Sequence, residues 1–151
     1  MLFQMWITAI TKEDSLRNKL ITYASSCDRE AGPILAEKMK WDTFLNREKI
    51  FVATDNDNII AYCTFTKEDW IPDCAYTPFV WFMFVDENYR WKRLSEKLIN
   101  AVEEYAKTLN YKQLYIVSDH KGLYEKYWFT EYDKKTDELW RNETIFIRAI
   151  K

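Results

Sequence analysis

The chain has 151 residues, 48% of them hydrophobic and 17% aromatic, with a formal net charge of −2. That is one domain's worth of chain with enough apolar side chain for a real core, which excludes a disordered tail. The absence of a basic excess argues against a nucleic-acid partner, and a mildly acidic surface is compatible with a cationic substrate.

The N-terminal "MLFQMWITAI" is apolar but lacks a basic leader and a small-residue cleavage site, so Phe3 to Ile10 reads as a first strand rather than a signal peptide. A helix is expected from about Glu13 to Ser25, with Leu16, Leu20, Ile21 and Tyr23 or Ala24 on one side. "AGPILAEKMKWDTFL" gives a second helix, with Pro33 in its first turn and Ile34, Leu35, Met39 and Trp41 on the apolar side. Ile50 to Thr54 and Ile59 to Phe65 read as a hairpin turning on Asp-Asn-Asp-Asn. "PFVWFMFV" is apolar on both faces, which makes Phe79 to Val85 a central strand. It is far too short to cross a bilayer, so no membrane partner is expected and the compartment is read as the cytoplasm.

A long helix follows from about Lys92 to Leu109. Leu94, Leu98, Ala101, Val102, Tyr105 and Leu109 fall on one face, and Glu96, Asn100, Glu103, Glu104 and Lys107 fall opposite. "QLYIV" is a second buried strand, so Phe79–Val85, the helix and Gln113–Val117 form a βαβ crossover with parallel strands. A short helix at about Gly122 to Tyr127 and two strand-like pieces, Phe129 to Asp133 and Thr144 to Ile150, complete the chain. The fold class is therefore α/β: one mixed, mostly antiparallel central sheet with one parallel βαβ crossover and helices on both faces. With two glycines and three prolines there is no flexible linker, and 1–151 reads as a single domain. The three cysteines, Cys27, Cys63 and Cys74, show no CxxC spacing, and His120 is the only histidine. These residues suit idle thiols in a reducing compartment rather than a metal site.

One turn carries chemistry. "VDENYRWKRLSEKLINAV" runs from a buried strand into a helix, where free N–H groups and the helix dipole favour an anion. Arg90, Lys92 and Arg93 add charge, although many such turns are basic and bind nothing.

"FMFVDENYRWKRLSEKLI" resembles motif A of the GNAT superfamily of N-acetyltransferases, in which Arg/Gln-x-x-Gly-x-Gly/Ala leads into a helix. Arg90 matches the opening Arg/Gln, while Arg93 and Ser95 stand at the two small positions. "LYEKYWF" is similar to the family's Leu/Phe-Tyr-Glu-Lys-x-Gly-Phe segment, with Trp128 in place of glycine. "FVATDNDNIIAYCTF" is similar to the second and third strands, and the resemblance covers roughly 48–133.

The resemblance implies a GNAT-like acyl-CoA N-acyltransferase fold and acetyl transfer, by direct attack, from acetyl-CoA to a primary amine of a small molecule or peptide. No metal is implied, and a homodimer is compatible with it. Met83 and Val85 would offer backbone groups to pantetheine. Arg90, Trp91, Lys92, Arg93, Leu94 and Ser95 would wrap the pyrophosphate. Left-handed backbone is costly for Trp91, Arg93 and Leu94, so they would keep φ < 0 with N–H groups facing the ligand. Arg93 could then replace a lost backbone contact with a charge-assisted bond.

Tyr124 matches the general-acid tyrosine that protonates the leaving thiolate. No base is evident: Glu68, Asp69 and Asp73 read first as a solvated loop, and Asp119 and His120 as capping or surface residues. Lys97, Lys121 and Lys126 are default surface lysines that would reach a ribose phosphate. Trp70 and Tyr76, between Pro72 and Pro78 or beside them, would line an acceptor pocket for a cationic amine. The absence of glycine at 91, 93 and 128 keeps a second reading open: a degenerate GNAT-fold ligand-binding or protein-interaction module without turnover.

Overall fold

The computed structural model describes residues 4–27, 31–69 and 71–151. The chain runs β1 (Met5–Ile10), α1 (Leu16–Ser25), α2 (Ala31–Lys40), β2 (Lys49–Asp55), β3 (Asn58–Thr66), β4 (Phe79–Val85), α3 (Leu94–Thr108), β5 (Gln113–Ser118), β6 (Thr130–Thr136) and β7 (Asn142–Ala149). Two 3-10 turns, Glu87–Lys92 and Tyr124–Tyr127, precede α3 and β6 respectively. One seven-stranded sheet has the order β1-β2-β3-β4-β5-β7-β6. All neighbours pair antiparallel except β4 and β5, so the expected mixed sheet and parallel crossover both form.

Strand alternation divides the core between two faces. Phe51 and Ala53 of β2 point into a cluster with Leu94, Leu98, Ile99, Val102 and Ala106 of α3. Ile50 and Val52 point the other way, against Leu20 and Ala24 of α1 and Leu35, Ala36 and Met39 of α2. α1 and α2 meet closely at Gly32, where a Cβ would stand 2.6 Å from the Ala24 carbonyl oxygen and 2.8 Å from the Cys27 Cβ. The β2–β3 turn has Asn56 and Asp57 both at positive φ (49° and 69°), the twist that a two-residue hairpin needs.

Three expectations need correction. α3 starts at Leu94 rather than at about Lys92, because a 3-10 turn occupies Glu87–Lys92. Glu103 is not on the solvent face but buried, where it accepts a 3.0 Å hydrogen bond from Arg148 of β7. Trp41 lies past the end of α2, 76% exposed, with its indole N–H on Glu37 instead of in the core.

Candidate active site

β4 and β5 pair only at Phe79 and Tyr115, and beyond that pair they splay. The cause lies in β4. Its register with β3 slips between Tyr62 and Thr64, leaving Phe82 and Met83 out of the ladder, and Phe82 takes φ +52°. An extra residue of this kind bends a strand and sharpens its twist. The splay opens two chambers. One, of about 300 Å³, is lined by Asp69, Trp81, Asp119, Asp137, Arg141 and Glu143 among others. The other, of about 290 Å³, is lined by Val85, Arg90, Ser95, Leu123 and Tyr127. Met83, His120 and Tyr124 line both and form the wall between them.

Tyr124 is buried and held by its own turn. At the end of the 3-10 turn the N–H of Phe129 donates to the Tyr124 carbonyl (3.1 Å) and the N–H of Trp128 donates to the Glu125 carbonyl (3.2 Å). This nested pair is a Schellman motif, whose capping residue is left-handed and usually glycine. Here it is Trp128, at φ +69°. The Phe129 ring packs edge-on to Tyr124 with centroids 6.1 Å apart, the apolar contact that accompanies the motif.

The loop from β4 to α3 has no glycine, and side chains brace it instead. Asp86 caps the 3-10 turn by accepting the Asn88 N–H (3.0 Å) and also accepts the Tyr23 hydroxyl (3.3 Å). Burial first, then the Asp86 carboxylate, pushes the Tyr23 phenol well above its usual value. Tyr89 donates to Asp55 of β2 (2.9 Å), and that hydrogen bond raises its phenol too. The Trp91 indole N–H donates to the Asn88 carbonyl (3.2 Å), and the Arg90 Nε–H to the Val85 carbonyl (3.3 Å).

Arg93 corrects the expectation of negative φ: it sits at φ +55°, ψ +38°, in the left-handed region. Trp91 and Leu94 do stay at negative φ. The Arg93 guanidinium does not line the chamber; it lies against Glu96 (2.8 Å) and over the Tyr127 ring (5.5 Å to its centroid). Leu94 is wholly buried against the sheet, and Lys92 lies over Trp91 on the outside.

The first-turn N–H groups of α3 have no side-chain cap, which leaves an anion-accepting end beside Arg90 and Ser95. Arg90, Ser95 and that end of α3 are the groups that would hold a phosphate-bearing ligand in this chamber.

Among the anticipated residues, Met83, Val85, Arg90, Ser95 and Tyr124 thus share one chamber. Trp91, Lys92, Arg93 and Leu94 border it with side chains turned elsewhere. Tyr76 is not in the other chamber; it stacks on Tyr115 (5.2 Å) and donates to Asp133 (2.6 Å), which pushes its phenol up to about 12. Trp70 lies outside the described residues. Asp69, Asp119 and His120 do line a chamber, whereas Asp73, Lys97, Lys121 and Lys126 are exposed.

Glu143, Asp137 and Arg141 were not legible as site residues. Asp137 is buried; burial alone would raise its carboxyl, but the Arg141 N–H and guanidinium and the Leu139 N–H hold it below the usual range. Burial, the hydrogen bond to Asp137 and the Asp137 charge raise the Glu143 carboxyl.

The model of the acetyltransferase (GNAT) family matches residues 14–129, most of the chain. The chain belongs to the GNAT family. No curated protein matches it. Solved structures with the GNAT fold do, at low identity. An aminoglycoside 6′-acetyltransferase type Ii superposes with a TM-score of 0.74 at 15% identity, over 97% of each chain. A variant of the spermidine N-acetyltransferase of Vibrio cholerae gives 0.68 at 16%, over 97% of this chain and 94% of that one. A GNAT acetyltransferase from Elizabethkingia anophelis, solved with acetyl-CoA bound, gives 0.66 at 18%, over 96% and 97%. At these identities the likeness concerns the fold alone. Within the GNAT frame, the loop into α3 and the turn that carries Tyr124 are the two segments whose residues departed from the family pattern.

Proposed function

We propose that this GNAT protein transfers an acetyl group from acetyl-CoA to a primary amine of a small molecule or peptide by direct attack. One observation carries the reading: two chambers of different character meet at Tyr124, His120 and Met83. The chamber ending at Arg90, Ser95 and the α3 N-terminus suits the phosphates of the donor. The chamber carrying Asp69, Asp119 and Glu143 suits an ammonium group, which must lose a proton before it attacks.

Each residue then has a task. Met83, taken out of the β3 ladder by the bulge, borders the thioester. The Tyr124 hydroxyl donates a proton to the departing sulfur, a role that burial beside the reaction centre favours. The carboxylates hold the acceptor and keep its amine oriented toward the wall between the chambers. The stacked Trp81 and Phe82 rings (4.0 Å between centroids) supply an aromatic side to the acceptor chamber.

The test is release of free thiol from acetyl-CoA against a panel of amines that includes polyamines and aminoglycosides. Tyr124→Phe should lower kcat about 100-fold or more while KM moves little. Unchanged kcat in that variant would remove Tyr124 from the chemistry. Tight acetyl-CoA binding with no thiol release across the panel would make the protein a binding module instead.

A further inference from the structure

We infer that Arg148 is a positioning residue for Tyr124: its guanidinium, reaching from β7, ties the turn that carries Tyr124 to α3. The inference rests on the acetyl-transfer reading above, in which the Tyr124 hydroxyl protonates the departing sulfur. The turn has little to hold it from within. It is a single 3-10 turn of four residues, Tyr124–Tyr127, with no side-chain cap at Leu123, and such short pieces have poor hydrogen-bond geometry. Support comes from Arg148 instead. Its Nη1 donates to the Tyr127 carbonyl at the end of the turn (3.2 Å). Its Nη2 donates to Asn100 Oδ1 (2.9 Å) and Glu103 Oε2 (3.0 Å), both on α3. The guanidinium carbon also lies 5.8 Å from the Phe129 ring centroid.

Tyr127 and Phe129, which Arg148 touches in this segment, are both ring neighbours of Tyr124, edge-on to it with centroids 6.4 and 6.1 Å away. A shift of either would move the phenol between them. A second arginine bears on the same residue: Arg93, paired with Glu96 of α3, lies over the Tyr127 ring. Glu96 and Glu103 stand about two turns apart on one face of α3. Two arginine–glutamate pairs therefore hold Tyr127 to that helix, one at its ring and one at its carbonyl. Stability alone does not explain the second pair. The Arg148 and Glu103 side chains are only 12% and 11% exposed, and a buried ion pair often stabilises no more than apolar side chains of the same size. A lysine would also satisfy Glu103. Only a guanidinium presents several N–H groups in fixed directions, and one of these goes to the backbone of the turn under Tyr124. Proton transfer needs the phenol within hydrogen-bond reach of sulfur, and a misplacement of about 1 Å can cost about 100-fold in rate.

The experiment is a double-mutant cycle on thiol release from acetyl-CoA, run on the full chain with the fastest amine of the panel: the unaltered chain, Arg148→Lys, Tyr124→Phe and both together. Arg148→Lys keeps a cation for Glu103 and gives up the fork. It should lower kcat about tenfold and leave the KM of each substrate within about twofold. With Tyr124 already replaced by Phe, the same substitution should change kcat by less than about twofold, because the group it positions is gone. An equal loss of kcat in both backgrounds, the mark of a merely structural role, overturns the inference, as does an unchanged kcat in Arg148→Lys. If circular dichroism shows that Arg148→Lys does not fold, Arg148→Met combined with Glu103→Leu, which leaves no buried carboxylate unpaired, takes its place with the same expectation. Loss of folding in both would mark Arg148 as structural and overturn the inference. Unchanged kcat in Tyr124→Phe removes Tyr124 from the chemistry and this inference with it, whereas no thiol release from the unaltered chain overturns the acetyl-transfer reading itself.

Discussion

Replacing Trp128 tests whether the turn under Tyr124 stores backbone strain. The comparison is Trp128→Gly against Trp128→Ala. Both remove an indole that is 81% exposed, so both lose the same small amount of packing. They differ in what the left-handed φ of +69° costs them. An L-residue there is disfavoured by roughly 1–2 kcal/mol, and glycine is not. Glycine gives back about 0.5–1 kcal/mol by making the unfolded chain more flexible. The glycine variant should therefore be the more stable by about 0.5–1 kcal/mol, a rise in Tm of roughly 1–4 °C for a chain of this size. Paired urea and thermal unfolding curves measure it. Lys126, in the same turn but at negative φ, supplies the control: there glycine should be less stable than alanine. An alanine variant at 128 as stable as the glycine variant, or more so, would refute the argument that the Schellman cap is strained.

Other consequences follow from single contacts. Gly32→Ala should destabilise by about 1–3 kcal/mol, read from the urea midpoint, because its Cβ would meet the Ala24 carbonyl at 2.6 Å. Arg148→Met should cost about 3 kcal/mol by leaving Glu103 buried without its partner, and Glu103→Gln in that background should recover part of the loss. Tyr89→Phe removes the brace to Asp55 and should raise the acetyl-CoA Kd about fivefold, measured by calorimetry, with far-ultraviolet circular dichroism unchanged. Glu143 has a raised carboxyl, so the folded chain binds that proton more tightly than the unfolded chain. The stability that this proton contributes is whole below the unfolded value and is lost as pH rises through the folded value. The Tm of Glu143→Gln relative to the unaltered chain should accordingly be higher at pH 7 than at pH 4; a pH-independent difference would contradict the raised carboxyl.

What was legible in the sequence was periodicity. The apolar run Phe79–Val85, the hairpin around Asn56 and Asp57 and the α3 stripe fixed the sheet order near the site, because burying those faces leaves few arrangements. The misses were tertiary. Nothing local marks Glu103 as buried, since its partner Arg148 lies 45 residues away. Phe82 looks like any strand residue, and the positive φ that opens the splay comes from the mismatch of two strands. Glu143, Asp137 and Arg141 reach the chamber beside Asp119 only because β7 is inserted between β5 and β6. The expectation for Arg93 failed for a related reason: the strain of its left-handed backbone is offset by contacts to Glu96 and Tyr127, the second of them well outside any local window.

The braced loop before α3 also differs in portability from one built on glycines. A glycine-rich turn carries its shape within its own residues and can be moved between scaffolds. Here the shape is spread over Tyr23 in α1, Asp55 in β2 and Tyr127 past β5, none of which lies in the loop itself. Grafting 86–95 onto another strand and helix would leave those struts behind. The loop is better regarded as the exposed end of a truss whose remaining members are distributed through the domain.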